Sequence, residues 1–394
     1  MGSAVLLNGI RGHASDVDGT VVVIALLLLL AGFVAISSAS IDYALVRENN
    51  ALHYSNRHLI YVTLALFCAA VVYSVPIKFW FDTGWIWLFV SLILLSLVLV
   101  PHIGRGANGS QRWLALGPLT LQVSEFAKMF LIIYLAGYLQ RRQVEVRSEW
   151  SGFIKPMAVV FAMTLLLMAE PDFGATVVTV GTAFGMLFLA GVRVAHFMAV
   201  ALASMLALVI LVISEPYRLA RLLAYRNPWE YQFDSGYQLT QSLIAFGRGE
   251  WFGVGLGNSI QKLFYLPEAH TDFVFSIWAE ETGLIGTALI LSLYLLLVLR
   301  ILWISRRVAA LGDLFGAFVC QGVALVLSAQ VFINIGVATG LLPTKGLTLP
   351  LISYGGSSLM ACCCMLPCIS CACCRCGIKT AWLCCALARH PSWA

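Results

Sequence analysis

The chain has 394 residues, 60% of them apolar and only 11% charged, with a mean hydropathy of +0.90. A soluble domain carries about 45–50% apolar and about 25% charged residues, so this surface is built for lipid, and a small anchor on a soluble enzyme is excluded. A net charge of +5, from 24 Lys and Arg against 19 Asp and Glu, is too weak and too dispersed to argue for nucleic acid.

Lipid offers no hydrogen-bond partners, so a spanning segment is a helix or part of a closed barrel, and long unbroken apolar runs argue for helices. After an N-terminal segment at 1–19, spans are expected at about 20–40, 58–75, 84–101, 124–139, 154–169, 174–191, 194–214, 273–299, 314–338 and 353–372. The expected fold class is therefore all-α: a polytopic integral membrane protein of about ten transmembrane helices, with one large outer loop, 215–272, between helices 7 and 8. The first run follows Asp16 and Asp18 rather than a basic region and is longer than a signal-peptide core, so it is read as retained. With the N-terminus inside, thirteen Lys and Arg fall on the inner side against six on the outer once the long loop is discounted. Both termini are expected in the cytoplasm.

Charged groups inside a membrane or at its lip are costly and are usually paired or functional. In LTLQVSEFAKMF, Glu125 and Lys128 stand i, i+3 at the outer end of the fourth helix, where an ion pair with Ser124 as N-cap is the bland reading. The turn AEPDFGAT places Glu170 and Asp172 at the outer surface, either as a Pro-Asp turn and helix cap or as carboxylates for a cation or a sugar hydroxyl. In the long loop, PYRLARLLAYRNPW and GYQLTQSLIAFGRG have the spacing of interfacial helices. Gln238 and Gln241 lie in the second, as sugar ligands or loop caps. GRGEWFGVGLG lacks the strand that a nucleotide motif needs, so its glycines are read as backbone lying close to a neighbouring helix. The run LPEAHTDFVFSIWAEETG is the richest. Asp272 is either a helix N-terminal carboxylate or a general base at the lip, Glu268 and His270 stand beside it, and Glu280 and Glu281 lie deeper. Adjacent acids on a helix point about 100° apart, so at least one of Glu280 and Glu281 should face the bundle interior or a wet cavity. In GLLPTKGLTLPLISYGGSS, Lys345 is either a phosphate ligand or a snorkelling surface lysine.

Five of these stretches, QVSEFAK, AEPDFGAT, GYQLTQSLIAFGRGEWFGVGLG, LPEAHTDFVFSIWAEETG and LPTKGLTLPLISYGGSS, together resemble the SEDS family (shape, elongation, division and sporulation). The resemblance covers about 20–363, which is expected to form the family's transmembrane domain including the periplasmic loop 215–272. QKLFYLPEAHTDF and TKGLTLPLISYGGSS are more similar to the cell-division branch than to the elongation branch. The resemblance implies a peptidoglycan glycosyltransferase that polymerises lipid II, an undecaprenyl-pyrophosphate-linked disaccharide peptide. It implies work at the division septum of the bacterial inner membrane, with a class B penicillin-binding transpeptidase and other divisome proteins. It also implies that Asp272 is the catalytic acid, and it carries over the family's motif positions onto Glu125, Lys128, Asp172 and Gln241. Together with His270 and Lys345 these are the expected substrate-binding residues, with Glu268, Glu280 and Glu281 supporting.

The chemistry fits: an acceptor 4-hydroxyl needs a base as it attacks C1, and the departing pyrophosphate needs positive charge. Lys128, Lys345, a loop arginine or a divalent cation, Mg or Mn, could supply that charge. No cofactor beyond this is expected. An α-linked donor and β-linked product imply inversion, which one base achieves by direct displacement. Two rival readings are a flippase that moves lipid II without bond chemistry and a noncatalytic divisome scaffold.

Twelve cysteines are present, ten of them between Cys362 and Cys385. No histidine interrupts the cluster and no structural-zinc spacing recurs. A CTG-rich leucine stretch read one base out of phase gives cysteine repeatedly, so 364–394 is expected to be a frameshifted tail, in which Pro367 and the thiols weaken the last helix.

Overall fold

The computed structural model describes residues 18–107, 110–116, 119–214, 225–234, 236–343 and 346–375. Each expected span coincides with a helix. In chain order the helices are α1 (Gly19–Glu48), α2 (His53–Ser74), α3 (Ile77–Val98), α4 (Val123–Arg141), α5 (Gln143–Ser148), α6 (Trp150–Ala169), α7 (Phe173–Leu189), α8 (Val194–Ile213), α9 (Tyr237–Gly249), α10 (Val274–Ala310), α11 (Leu314–Ala338) and α12 (Gly356–Arg375). Six of them, α1, α2, α3, α6, α10 and α11, are long and apolar enough to cross a membrane, and shorter apolar helices lie at Phe173–Leu189, Val194–Leu206 and Gly356–Ile369. The chain is a polytopic, predominantly helical membrane protein.

Most of α4 is buried despite carrying Glu125 and Lys128, and it packs between α3 and α11. Around it, α11 packs on α7 and α10, α1 on α2 and α10, and α12 on α2. Outward faces carry exposed Leu30, Phe67, Phe89, Phe161, Leu202 and Phe332, the arrangement expected where hydrocarbon is the solvent. Asp18 starts α1 by accepting from the Thr20 and Val21 amides, and the same carboxylate receives a forked bond from Arg300 of α10, with Nη2 to Oδ2 at 2.6 Å.

Two features depart from the sequence reading. A three-stranded antiparallel sheet, β1 (Gly104–Ala107), β2 (Ser110–Leu116) and β3 (Leu119–Gln122), precedes α4. Asn108-Gly109 between the first two strands is the hairpin signal that the surrounding apolar runs obscured. The expected span 273–299 is one element only in outline, because α10 breaks at Gly283, where φ is +66° and ψ −163°. The loop after α9 fills the break: the Val254 and Gly255 amides donate to the carbonyls of Glu280 and Glu281, and the Leu284 and Ile285 amides donate to those of Glu250 and Trp251. This is the close backbone approach expected of GRGEWFGVGLG, and Gly253, Gly255 and Gly257 all have positive φ. The last helix, α12, lies on the expected span and runs through Pro367 to Arg375, with Cys362, Cys363, Cys364 and Cys368 buried. Small apolar cysteines fill the helix interface, and a single missing N–H is tolerated in such a helix.

Of the two expected interfacial helices, the first falls largely outside the described residues. The second is α9, docked on α10 and α11 through Ser242, whose hydroxyl lies 2.6 Å from that of Ser276 and donates to the Ala338 carbonyl.

Candidate functional site

A cavity of about 410 Å³ opens where five segments meet: α2, the β-sheet with the start of α4, the turn before α10, the segment after residue 346, and the first turn of α12. Asp272, Glu268, Glu125, Arg112, Tyr61 and Tyr354 line it with Gly346 and Gly355–Ser357. The amino end of α12 thus faces the cavity and adds positive potential there.

Asp272 lies two residues before α10, half-buried, and its carbonyl accepts from Asn334 Nδ2 of α11 at 2.9 Å. The same amide nitrogen donates to the Leu347 carbonyl at 2.5 Å, so Asn334 ties the two loops that flank the carboxylate. Gly346 lies so close that a Cβ there would enter the van der Waals shell of Asp272 Oδ2. The Asp272 carboxyl is pushed up to about 7, first by burial and then by Glu268, with Arg112 opposing and Asp172 adding a smaller push. A carboxyl poised there can act as a base near neutral pH. Glu268, held at positive φ, accepts from the Thr271 hydroxyl at 2.7 Å.

Glu125 and Lys128 form the expected ion pair at 2.8 Å, both buried, with Gln330 Nε2 donating to the second Glu125 oxygen at 3.4 Å. Glu125 reaches the cavity wall, whereas Lys128 stands behind it. Ser124 is not the cap: the N-cap position of α4 is Gln122, which makes no side-chain cap bond, and the Ser124 hydroxyl donates to Asp172 Oδ2 at 3.1 Å. Buried Asp172 uses its other oxygen to accept from the Ala175 amide and so caps α7. It is not in the cavity lining and reaches Asp272 through its charge.

Among the described residues Arg112 is the cation that lines the cavity, and in the sequence it had entered only the charge balance. Carried on β2, it donates to the Pro171 carbonyl at 2.5 Å, while its Nε has no partner. Glu170 beside that carbonyl is fully buried with neither oxygen hydrogen-bonded, and burial and then Asp172 push its carboxyl up to about 8. No pattern in SQRWLAL singles Arg112 out: its neighbour Trp113 lines the cavity as well, so strand alternation does not mark the arginine.

The remaining expected residues that the structure describes stand apart from the cavity lining. His270 packs in an aromatic group with Tyr43, Tyr54 and Tyr354 at centroid distances of 5.1, 5.2 and 5.9 Å, and burial lowers its pKa, which favours the neutral imidazole. Its carbonyl accepts from the Tyr354 amide at 3.2 Å, which joins the Asp272 turn to the start of α12. Gln241 is half-buried on α9. Lys345 lies outside the described residues. Glu280 and Glu281 both face the interior, 0% and 2% exposed, and pair with Arg248 at 2.8 Å and Lys262 at 3.2 Å. Among the described residues no cluster of three or more His, Cys, Asp or Glu is arranged to hold a metal ion.

Known proteins share this architecture. A solved structure described as the structural coordination of polymerization and crosslinking by a peptidoglycan synthase complex superposes with a TM-score of 0.75 at 30% identity, covering 90% of this chain and 96% of that one. The rod shape determining protein RodA of Thermus thermophilus gives 0.67 at 29% identity, over 90% and 96%. Among curated proteins, the probable peptidoglycan glycosyltransferases FtsW of Hahella chejuensis and Coxiella burnetii are each 53% identical, over 86% and 88% of this chain and 85% and 93% of their own length. The FtsW/RodA/SpoVE family model, described as cell cycle protein, matches residues 19–372, a span that runs from the start of α1 into the last turn of α12 and takes in every segment of the cavity. The chain belongs to the FtsW/RodA/SpoVE family of cell cycle proteins.

Proposed function

We propose that the chain is a peptidoglycan glycosyltransferase that polymerises lipid II at the outer face of the bacterial inner membrane, with Asp272 as the general base. The observation that carries the reading is the placement of Asp272: a carboxyl poised near neutral pH, facing a polar cavity that also holds Arg112. The acceptor sugar's 4-hydroxyl oxygen attacks C1 of the donor, the bond from C1 to the pyrophosphate oxygen breaks, and the hydroxyl proton passes to Asp272. The polyprenyl pyrophosphate leaves with its negative charge met by the Arg112 guanidinium and the amino end of α12. One base on one side of C1 gives inversion. Glu125 offers a hydrogen-bond acceptor to sugar hydroxyls, held in place by Lys128 behind it.

The relatives named FtsW support action at the division septum, and the similar peptidoglycan synthase complex supports a class B penicillin-binding transpeptidase as partner. The charge balance of the loops supports cytoplasmic termini. Purified protein, alone and with that transpeptidase, is to be given labelled lipid II on its accessible outer face. Wild type should make glycan strands and Asp272→Ala should make none. An Asp272→Ala protein that polymerises at the wild-type rate sinks the assignment of the base, and a wild type that moves lipid II across a bilayer without joining it makes the protein a flippase.

A further inference from the structure

We propose that two ion pairs made by buried acids at the outer end of α10, Glu280 with half-exposed Arg248 and Glu281 with buried Lys262, are positioning residues that fix where Asp272 stands in the cavity. The proposal rests on the reading of Asp272 as the base. Between α9 and α10, residues 250–273 form turns without helix or strand, so no regular element sets the height or direction of Asp272. Its place depends on where this segment is anchored.

Both anchors are the acids of α10. The Glu280 carboxylate accepts from Arg248 at 2.8 Å, from the Ser259 hydroxyl, and from the amides of Ile260 and Gln261 at 3.1 and 3.3 Å. One side chain therefore binds three consecutive residues of the loop. Glu281 accepts from the Ser38 hydroxyl of α1 at 2.6 Å and from Lys262 at 3.2 Å. Lys262 places its remaining two protons on Ser38 Oγ at 3.2 Å and the Gly257 carbonyl at 2.7 Å, which satisfies the ammonium fully. From Lys262 to α10 the segment is held by a small apolar group in which Leu266, Ala269 and Phe273 pack on Ala39, Ile277 and Val337. Ser38 and Ala39, adjacent on α1, thus meet the charged and the apolar halves of the same support.

Burying two carboxylates and a lysine is not how stability alone is obtained, since well-packed apolar residues of similar volume often do as well or better. What charge pairs add is a single geometry: a four-bond carboxylate admits one register of residues 259–262, and that register carries through ten residues to Asp272. A displacement of about 1 Å at a reacting group can cost about 100-fold in rate.

The test separates geometry from stability in the full chain assayed with its transpeptidase. Lys262→Met and Glu281→Gln each leave a buried charge unpaired, and should lower both melting temperature and kcat, kcat by about tenfold or more, with KM within about twofold. The double variant Lys262→Met/Glu281→Leu removes the unpaired charge and should recover the melting temperature while kcat stays low and the midpoint of its pH profile moves. Lys262→Arg should keep most activity. Ser38→Ala, mild enough to fold, should lower kcat about threefold at unchanged melting temperature. A double variant that regains wild-type kcat together with its melting temperature overturns the proposal, as does a Ser38→Ala protein with wild-type kcat and pH profile. Wild type that makes no polymer overturns instead the activity on which the proposal rests.

Discussion

Asp272 owes its protonation to what surrounds it, and the sign of the consequence follows. Burial and Glu268 raise its carboxyl to about 7, and a base works only when ionised, so polymerisation should rise with pH through about 7 and level off above it. Glu268→Gln removes a charge that raises the carboxyl, so the midpoint of the rate profile should move to lower pH. Gly346 gives a sharper steric prediction. A methyl group there meets Asp272 Oδ2, so Gly346→Ala should lower kcat by about 100-fold while the melting temperature stays within a few degrees of wild type. At this scale the sequence was informative wherever a charge stood among apolar residues: Asp272, Glu125, Lys128, Glu280 and Glu281 all proved buried or cavity-facing. It was uninformative for Arg112 and Asn334. An arginine in a polar loop and an asparagine in an apolar helix look ordinary until the cavity gives them neighbours.

At the level of elements, the break in α10 is the feature that hydrophobic periodicity could not show. The run from 273 to 299 is apolar enough for one straight helix, yet at Gly283 the chain takes a conformation open essentially only to glycine. A Cβ there would also collide with the backbone of Gly253 and Gly249. Gly283→Ala should therefore destabilise the protein by about 2 kcal/mol or more, measured as a lower melting temperature and a lower yield of monodisperse protein. Alanine at exposed Gly312, another positive-φ glycine but with open space around it, should cost less. The small sheet teaches the complementary lesson. Its hairpin signal, Asn108-Gly109, was present in the sequence, but the flanking strands are only four and seven residues long, too short for a clear alternation.

Across the whole molecule, the spans were legible because solvent selects them: only helices carry so much apolar surface through lipid with every amide satisfied. The assembly of the site was not, because it joins parts far apart in the chain, as where the Gln122 amide donates to Ser357 Oγ at 2.8 Å across 235 positions. No local pattern encodes such a contact. It follows from which helix packs on which, and with it goes the reason Asp172 caps α7 while still acting on Asp272 by charge. The pairing of α1 with α10 has one more consequence. These helices are joined by charge at both ends, through Asp18 and Arg300 at one and through Ser38, Glu281 and Lys262 at the other. The first pair keeps 14% and 18% of its side-chain surface open, and the second only 1% and 5%. Counterions screen open charges far more than enclosed ones, so rising ionic strength loosens the end remote from the cavity first and leaves the end beside Asp272 closed.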